Sequence, residues 1–153
     1  MSERNSGRNS GLVGHQKIGL DSNVLIYLLE TQGPVADTAA SLIDMIAESE
    51  THAVLSAIGL VEILVGPARS GDARMFEMTA DAMRDLPIRV VPLDAAIAED
   101  AAWIRGASGL GLEDAVHLAT ARAAGATAFV TNDRRIRPIS NYLAVIYLDD
   151  LVA

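Results

Sequence analysis

Two hydrophobic patterns alternate along the chain: short apolar runs, and longer segments whose apolar residues recur every three or four positions. The first predicts buried strands and the second amphipathic helices. Lys17-Ile18-Gly19-Leu20 reads as a strand, and Val24 to Leu29 as an apolar helix that opens near Ser22 or Asn23. Gly33-Pro34 breaks it. Val35 to Glu50 follows as a helix with Val35, Ala39, Leu42, Ile43 and Ile46 on one face, and Asp37, Asp44, Glu48 and Glu50 on a solvated face. Thr51 to Leu55 is a second strand. Ser56 then caps a helix from Ala57 to about Gly66, which Pro67 stops. Ser70 to Asp85 is a more polar helix carrying Met75, Phe76, Met78, Ala82 and Met83, paired with its predecessor as a helical hairpin.

Pro87 starts a third strand, Ile88 to Val91, and Pro92 ends it. Asp94 caps a helix from Ala95 to Ala107, with Trp103 read as packing. The loop Ser108 to Gly111 is Gly-rich but lacks the lysine and spacing of a phosphate-binding loop. A last helix follows, with Leu112, Ala115, Val116, Ala119 and Ala123 as its core stripe and Gly125 as its end. Ala128 to Val130 and Ala144 to Leu148 are the fourth and fifth strands. Strands alternating with helices imply a three-layer α/β/α fold around a mainly parallel sheet of about five strands. With no repeat or linker, residues 17–153 read as a single domain behind a disordered tail, 1–16.

Composition narrows the function. The 153 residues suffice for one real core. There are no cysteines, so disulfides and thiolate metal sites are excluded. No apolar run has the length of a membrane span, and the N-terminus lacks the apolar core of a secretory signal, so the cytoplasm is the expected location. The net charge of -8 disfavours a broad basic surface for nucleic acid. Aromatics at 4% disfavour a base-stacking platform.

Charge placement then singles out four acids. Asp21 follows the first strand and is the only charge from Ile18 to Leu29. A lone carboxylate there needs a partner or a metal, although an N-cap role explains it equally well. Glu62 is the only charged residue between Ala53 and Ala68. A solvated helix face carries more polar groups than that, and no neighbour in sequence offers a pairing charge, so a ligand role is favoured over a distant arginine. Asp114 lies in the first turn of the last helix, where the dipole favours an anion. Asp133 follows the fourth strand and on its own reads as a turn residue. All four reach one edge of a parallel sheet, outside the carboxyl ends of its strands. Four ionised carboxylates do not share a pocket without a cation. A hard divalent ion with oxygen ligands answers this, and such ions activate water and stabilise leaving oxygens in phosphodiester hydrolysis.

Four segments, LDSNVLIYLLE, GLVEILVG, EDAVHLATARAAGA and FVTND, resemble in order the acidic motifs of PIN-domain nucleases, and most of all the VapC toxins of type II toxin–antitoxin pairs. The resemblance runs from about Ile18 to Leu148. It implies a PIN-like fold and a Mg²⁺- or Mn²⁺-dependent endoribonuclease, usually dimeric and held inactive by a cognate antitoxin. It places the metal-binding acids on Asp21, Glu62, Asp114 and Asp133, and the supporting polar residues on Asn23 and on Thr131 or Asn132. Ser22 stands where threonine is more usual. His117, one turn from Asp114, is within reach of the site but reads first as a packed helix histidine, and the resemblance gives it no required role. Arg134, Arg135 and Arg137 either contact substrate phosphates beside the metal or form a solvated loop. Asp149 and Asp150 are assigned nothing.

Two other functions fit less well. A phosphotransfer or phosphatase domain of similar topology wants a second aspartate two residues after the first and a strand-end lysine. Here Asn23 stands at the first position, and Lys17 is the chain's only lysine. A non-enzymatic domain that binds a partner through the hairpin around Val65 to Met83 leaves four acids without a purpose.

Overall fold

The computed structural model describes residues 10–12, 14–30, 32–139 and 143–151. Five strands, β1 (Lys17–Leu20), β2 (His52–Ser56), β3 (Ile88–Val91), β4 (Ala128–Thr131) and β5 (Ala144–Tyr147), form one sheet in the order β3-β2-β1-β4-β5. All pairings are parallel. Ile18 of β1 is in register with Ala53 of β2 on one side and Ala128 of β4 on the other. The chain builds outward from β1 to β3, then returns to lay β4 on the free side of β1. That reversal makes the gap beyond the carboxyl ends of β1 and β4 the ligand-binding crevice expected of such a sheet.

Among the described residues, six α-helices cover the sheet: α1 (Ser22–Glu30), α2 (Pro34–Glu48), α3 (Ala57–Ser70), α4 (Ala73–Asp85), α5 (Ala95–Ser108) and α6 (Leu112–Ala123). Side chains alternate across a strand, and β4 shows the result. Ala128 and Val130 join a core with Leu20, Leu25, Leu42 and Ile63, while Phe129 joins a second core with Ile104, Val116 and Leu118. The three layers anticipated from the sequence are therefore present, with α1 and α2 on one face and α5 and α6 on the other. Gly19 lets α6 lie close: a Cβ there would come within 2.5 Å of Ala121 Cβ.

Several local expectations are corrected. Helix α3 runs through Pro67 and ends four residues beyond Gly66, at Ser70, with Gly71 left-handed at φ 72°. A proline removes one intrahelical hydrogen bond, and the buried packing of Pro67 carries the last turn past it. The polar helix starts at Ala73, because Asp72 caps it by accepting from Met75 N at 3.1 Å. Trp103 is 78% exposed and Leu112 57% exposed, so neither is core; Ala123 is exposed too. The buried part of α6 is the unbroken run Ala115 to Ala121, polar His117 and Thr120 included. A helix pressed between the sheet and α5 is enclosed on most sides, so a one-stripe pattern understates its burial.

Of the stretch read as a tail, residues 1–9 and 13 lie outside the described residues. Leu12 is buried in a short 3-10 turn, and His15 Nδ1 meets Thr127 Oγ1 at 2.7 Å. The packed structure thus includes Leu12 and His15, ahead of β1.

Candidate active site

The crevice is built around the end of β1. Asp21 N donates to Val130 O at 2.9 Å, which carries the ladder between β1 and β4 one residue past the strand. The chain then turns into α1, and the Asp21 side chain is left in the interior, 5% exposed. Neutral groups hold it. Thr131 Oγ1 donates to Asp21 Oδ2 at 2.7 Å and Asn23 Nδ2 to the same oxygen at 3.3 Å. Ser22 Oγ lies 3.4 Å from Oδ1. Burial pushes the Asp21 carboxyl above its ordinary value of 3.8, and the nearby Glu62 charge adds to this, against the opposing pull of His117 and Thr131.

Glu62, one and a half turns into α3, faces the same space. Ser22 Oγ donates to its Oε1 at 3.2 Å, and His117 Nε2 approaches that oxygen at 2.6 Å. The pairing charge missing from the local sequence therefore comes from α6, and that premise for Glu62 is overturned. Burial acts to raise the Glu62 carboxyl, but the His117 bond and charge outweigh it and hold the group below its ordinary 4.5. For His117, burial acts downward, yet the Glu62 bond and the charges of Asp21, Glu62 and Asp114 lift the imidazole above its ordinary 6.5. His117 is 2% exposed, and its Nε2 is also 3.8 Å from Asp21 Oδ1.

Asp114 and Asp133 complete the cluster from the other side. Asp114, half-buried at the start of α6, is raised by burial first and then by the carboxylates of Asp21 and Asp133. Asp133 sits in the turn after β4, where Thr131 Oγ1 accepts from its backbone N–H at 3.0 Å. Arg135 grips its carboxylate through Nε and Nη2, the latter at 2.7 Å, and holds it below its ordinary 3.8. Asn23 Oδ1 accepts from Asn132 N at 3.3 Å, and Asn132 Oδ1 accepts from Asp149 N at 3.1 Å. Arg134 turns away. It pairs with Asp150 at 2.8 Å and stacks 4.3 Å from the Tyr147 ring centroid. Asp149 and Asp150, given no part from the sequence, thus hold Asn132 and Arg134.

The acids at this edge are oxygen donors; Glu62 raises the Asp21 carboxyl, and Asp21 and Asp133 raise that of Asp114. That donor chemistry suits a hard divalent cation. Among the described residues, no group of three Asp, Glu or His side chains is gathered tightly enough to hold an ion as it stands. Arg135 occupies both oxygens of Asp133, whereas His117 and Ser22 engage only Oε1 of Glu62. Lys17 lies at the opposite end of β1 and donates to Ala124 O at 2.9 Å, so no lysine serves the crevice.

The structure brings Asp21, Asn23, Glu62, Thr131 and Asn132 into one hydrogen-bonded network, with Asp114 and Asp133 within electrostatic reach. Sequence reasoning gave no site role to His117 or to Ser56, whose Oγ lies 2.6 Å from His117 Nδ1. The available signal was a histidine three residues after Asp114, on a helix otherwise apolar around it.

A family model for the PIN domain matches residues 18–141. No curated protein sequence matches the chain. Its structure is similar to that of VapBC2 from Rickettsia felis bound to a DNA fragment from their promoter, with a TM-score of 0.68 and 18% identity, covering 86% of this chain and 98% of that one. It is also similar to FitAcB from Neisseria gonorrhoeae, at TM-score 0.65 and 20% identity over 86% and 97%. A third similar structure is VapC20 of Mycobacterium tuberculosis, a sarcin-ricin loop cleaving toxin, at TM-score 0.57 and 20% identity over 73% and 86%. No described helix is long and apolar enough to cross a membrane. With the family model spanning most of its length and the acidic crevice at the end of β1, the chain belongs to the PIN-domain family.

Proposed function

We propose that this PIN domain is a divalent-metal-dependent endoribonuclease and the toxin of a toxin–antitoxin pair. The observation that carries the proposal is the buried Asp21 carboxylate, held by neutral donors at the sheet's switch point and crowded by Asp114 and Glu62. Asp21, Glu62, Asp114 and Asp133 would hold Mg²⁺ or Mn²⁺, directly or through water. When bound, such an ion supplies charge stabilisation and an activated water for phosphodiester hydrolysis. The chain's own residues do the positioning. Thr131 and Asn23 orient Asp21, Ser22 and His117 orient Glu62, and the N-terminus of α6 supports Asp114. Arg134 and Arg135 are exposed enough to exchange their carboxylate partners for RNA phosphates, giving an acidic protein a local basic contact.

The toxin reading draws on the similar structures, one of which is a toxin–antitoxin complex and another a sarcin-ricin loop cleaving toxin. A groove of about 320 Å³ between Leu29 of α1 and Met75, Met78 and Ala82 of α4 offers an antitoxin helix an apolar seat. Met75 and Met78 are 50% and 62% exposed there. A homodimer in the cytoplasm completes the proposal. The test is cleavage of structured RNAs with Mg²⁺, with EDTA, and with Asp21→Asn. Cleavage is expected only in the first; equal cleavage in all three refutes the metal mechanism. A small adjacent gene for a DNA-binding antitoxin would favour the toxin over a housekeeping nuclease.

A further inference from the structure

His117 has a geometry that ordinary helix packing does not require. Both ring nitrogens are bonded at 2.6 Å, Nδ1 to Ser56 Oγ and Nε2 to Glu62 Oε1, although the side chain is almost wholly buried. Ser56 is itself fixed. It ends β2 and caps α3, its Oγ accepting from Gly59 N at 3.1 Å. The imidazole also packs near Gly59: a Cβ there would stand 2.5 Å from Leu55 Cδ1, and at an ordinary 3.5 Å from His117 Cε1. A chain of contacts therefore runs from the cap of α3, across α6, and back to Glu62 in α3.

The direction of the last bond follows from the donor inventory. A carboxylate only accepts, so Nε2 carries the proton that reaches Oε1. The Ser56 hydroxyl serves Nδ1 as donor to a neutral ring or as acceptor from a charged one, and Nε2 remains protonated either way. Ser22 Oγ and His117 Nε2 both fall on Oε1. Among the described residues, no hydrogen bond reaches Oε2, so that oxygen remains for the crevice.

We propose that His117, braced by Ser56, is a positioning residue that fixes the Glu62 carboxylate through Oε1 and thereby presents Oε2 to a divalent cation. This rests on the metal-site reading above. Partners behind a metal ligand characteristically orient it in this way. The alternative is that His117 is a stand-in counter-ion, which a bound cation replaces.

The test is Mn²⁺ binding by calorimetry, without RNA, on the full chain and on His117→Ala, His117→Gln and His117→Asn, each checked for native melting behaviour. The glutamine amide nitrogen falls near the place of Nε2 and still reaches Glu62, whereas the asparagine amide falls near Nδ1 and reaches only Ser56. The expected result is near wild-type affinity for Gln, and a loss of about 10- to 100-fold for Ala and Asn. Equal affinities for Gln and Asn, both high or both low, overturn the proposal. A second readout needs no variant. The imidazole Nε2–H proton, followed by NMR, is expected to persist when Mg²⁺ saturates the protein; its loss on Mg²⁺ binding shows a displaced counter-ion and also overturns it. Failure of the wild-type protein to bind Mn²⁺ refutes the metal site itself, and this inference with it.

Discussion

Asp21 and Asp133 leave the ends of neighbouring parallel strands, and the fold treats them in opposite ways. Asp21 is buried, held by the hydroxyl of Thr131 and the amide of Asn23, and its carboxyl is pushed up. Asp133 is partly open to solvent, clamped by an 83% exposed Arg135, and its carboxyl is pulled down. Neutral donors fix its orientation, and His117, 3.8 Å away, offsets only part of the cost of burial, so Asp21 is preorganised and its carboxyl stays raised. Arg135 cancels the charge of Asp133 and is loose enough to leave. One acid is thus the fixed anchor of a proposed cation site, the other a ligand that must be released.

The largest effect tests the anchor. Asp21→Asn is expected to lower RNA cleavage by roughly 100-fold or more, at least as much as loss of a partner behind a ligand costs. It should also raise the melting temperature of the metal-free protein, because an amide buries no charge. A variant that melts earlier but still cleaves would break the comparison. Next comes Thr131→Val, which keeps the shape but removes the hydroxyl shared by Asp21 and the Asp133 backbone. Calorimetry should show Mn²⁺ affinity weakened by about 10-fold or more; unchanged affinity would mean that Asp21 needs no orienting donor.

Arg135→Ala probes the released ligand. If Arg135 competes with the cation for Asp133, its removal tightens Mn²⁺ binding a few-fold while RNA affinity falls. Weaker Mn²⁺ binding would mean that Arg135 supports the site instead. The smallest effect is on stability with pH in EDTA. The His117 pKa is raised above 6.5 in the folded protein, so its stabilisation is complete below pH 6.5 and is lost as pH rises through the folded value. The lowered Glu62 acts oppositely, its share being lost only as pH falls below 4.5. Melting curves taken upward from pH 6.5 should therefore decline, by no more than one proton's worth, about 1.4 kcal/mol per pH unit. His117→Gln should flatten this decline; an equal slope in the variant would remove His117 as its source.

How much of this was legible in the sequence follows the range of the interactions involved. The strands and the parallel character of their sheet were readable, because apolar runs and helix periods are local signals, whereas the strand order was not. Ser56 and Asp94 were readable as caps for the same reason, and each accepts from the backbone three residues on. Asp21 and Glu62 stood out because they interrupt uncharged segments. The pairing of Glu62 with His117 was not readable, since it spans 55 residues and depends on α6 packing beside α3. The Arg134–Asp150 pair was likewise hidden, because the turn after β4 meets the segment after β5 only in the folded sheet. Trp103 failed for another reason: a large apolar residue predicts burial on average, and here it stands on the outer side of α5.

The measurement that bears most directly on the central claim is a calorimetric titration of Mn²⁺ into the wild-type chain and into Asp21→Asn, with both proteins verified as folded. The wild-type chain is predicted to show saturable binding that the variant lacks. Absence of binding in the wild-type, or the same binding in both, would contradict the assignment of Asp21 as the anchor of a cation site.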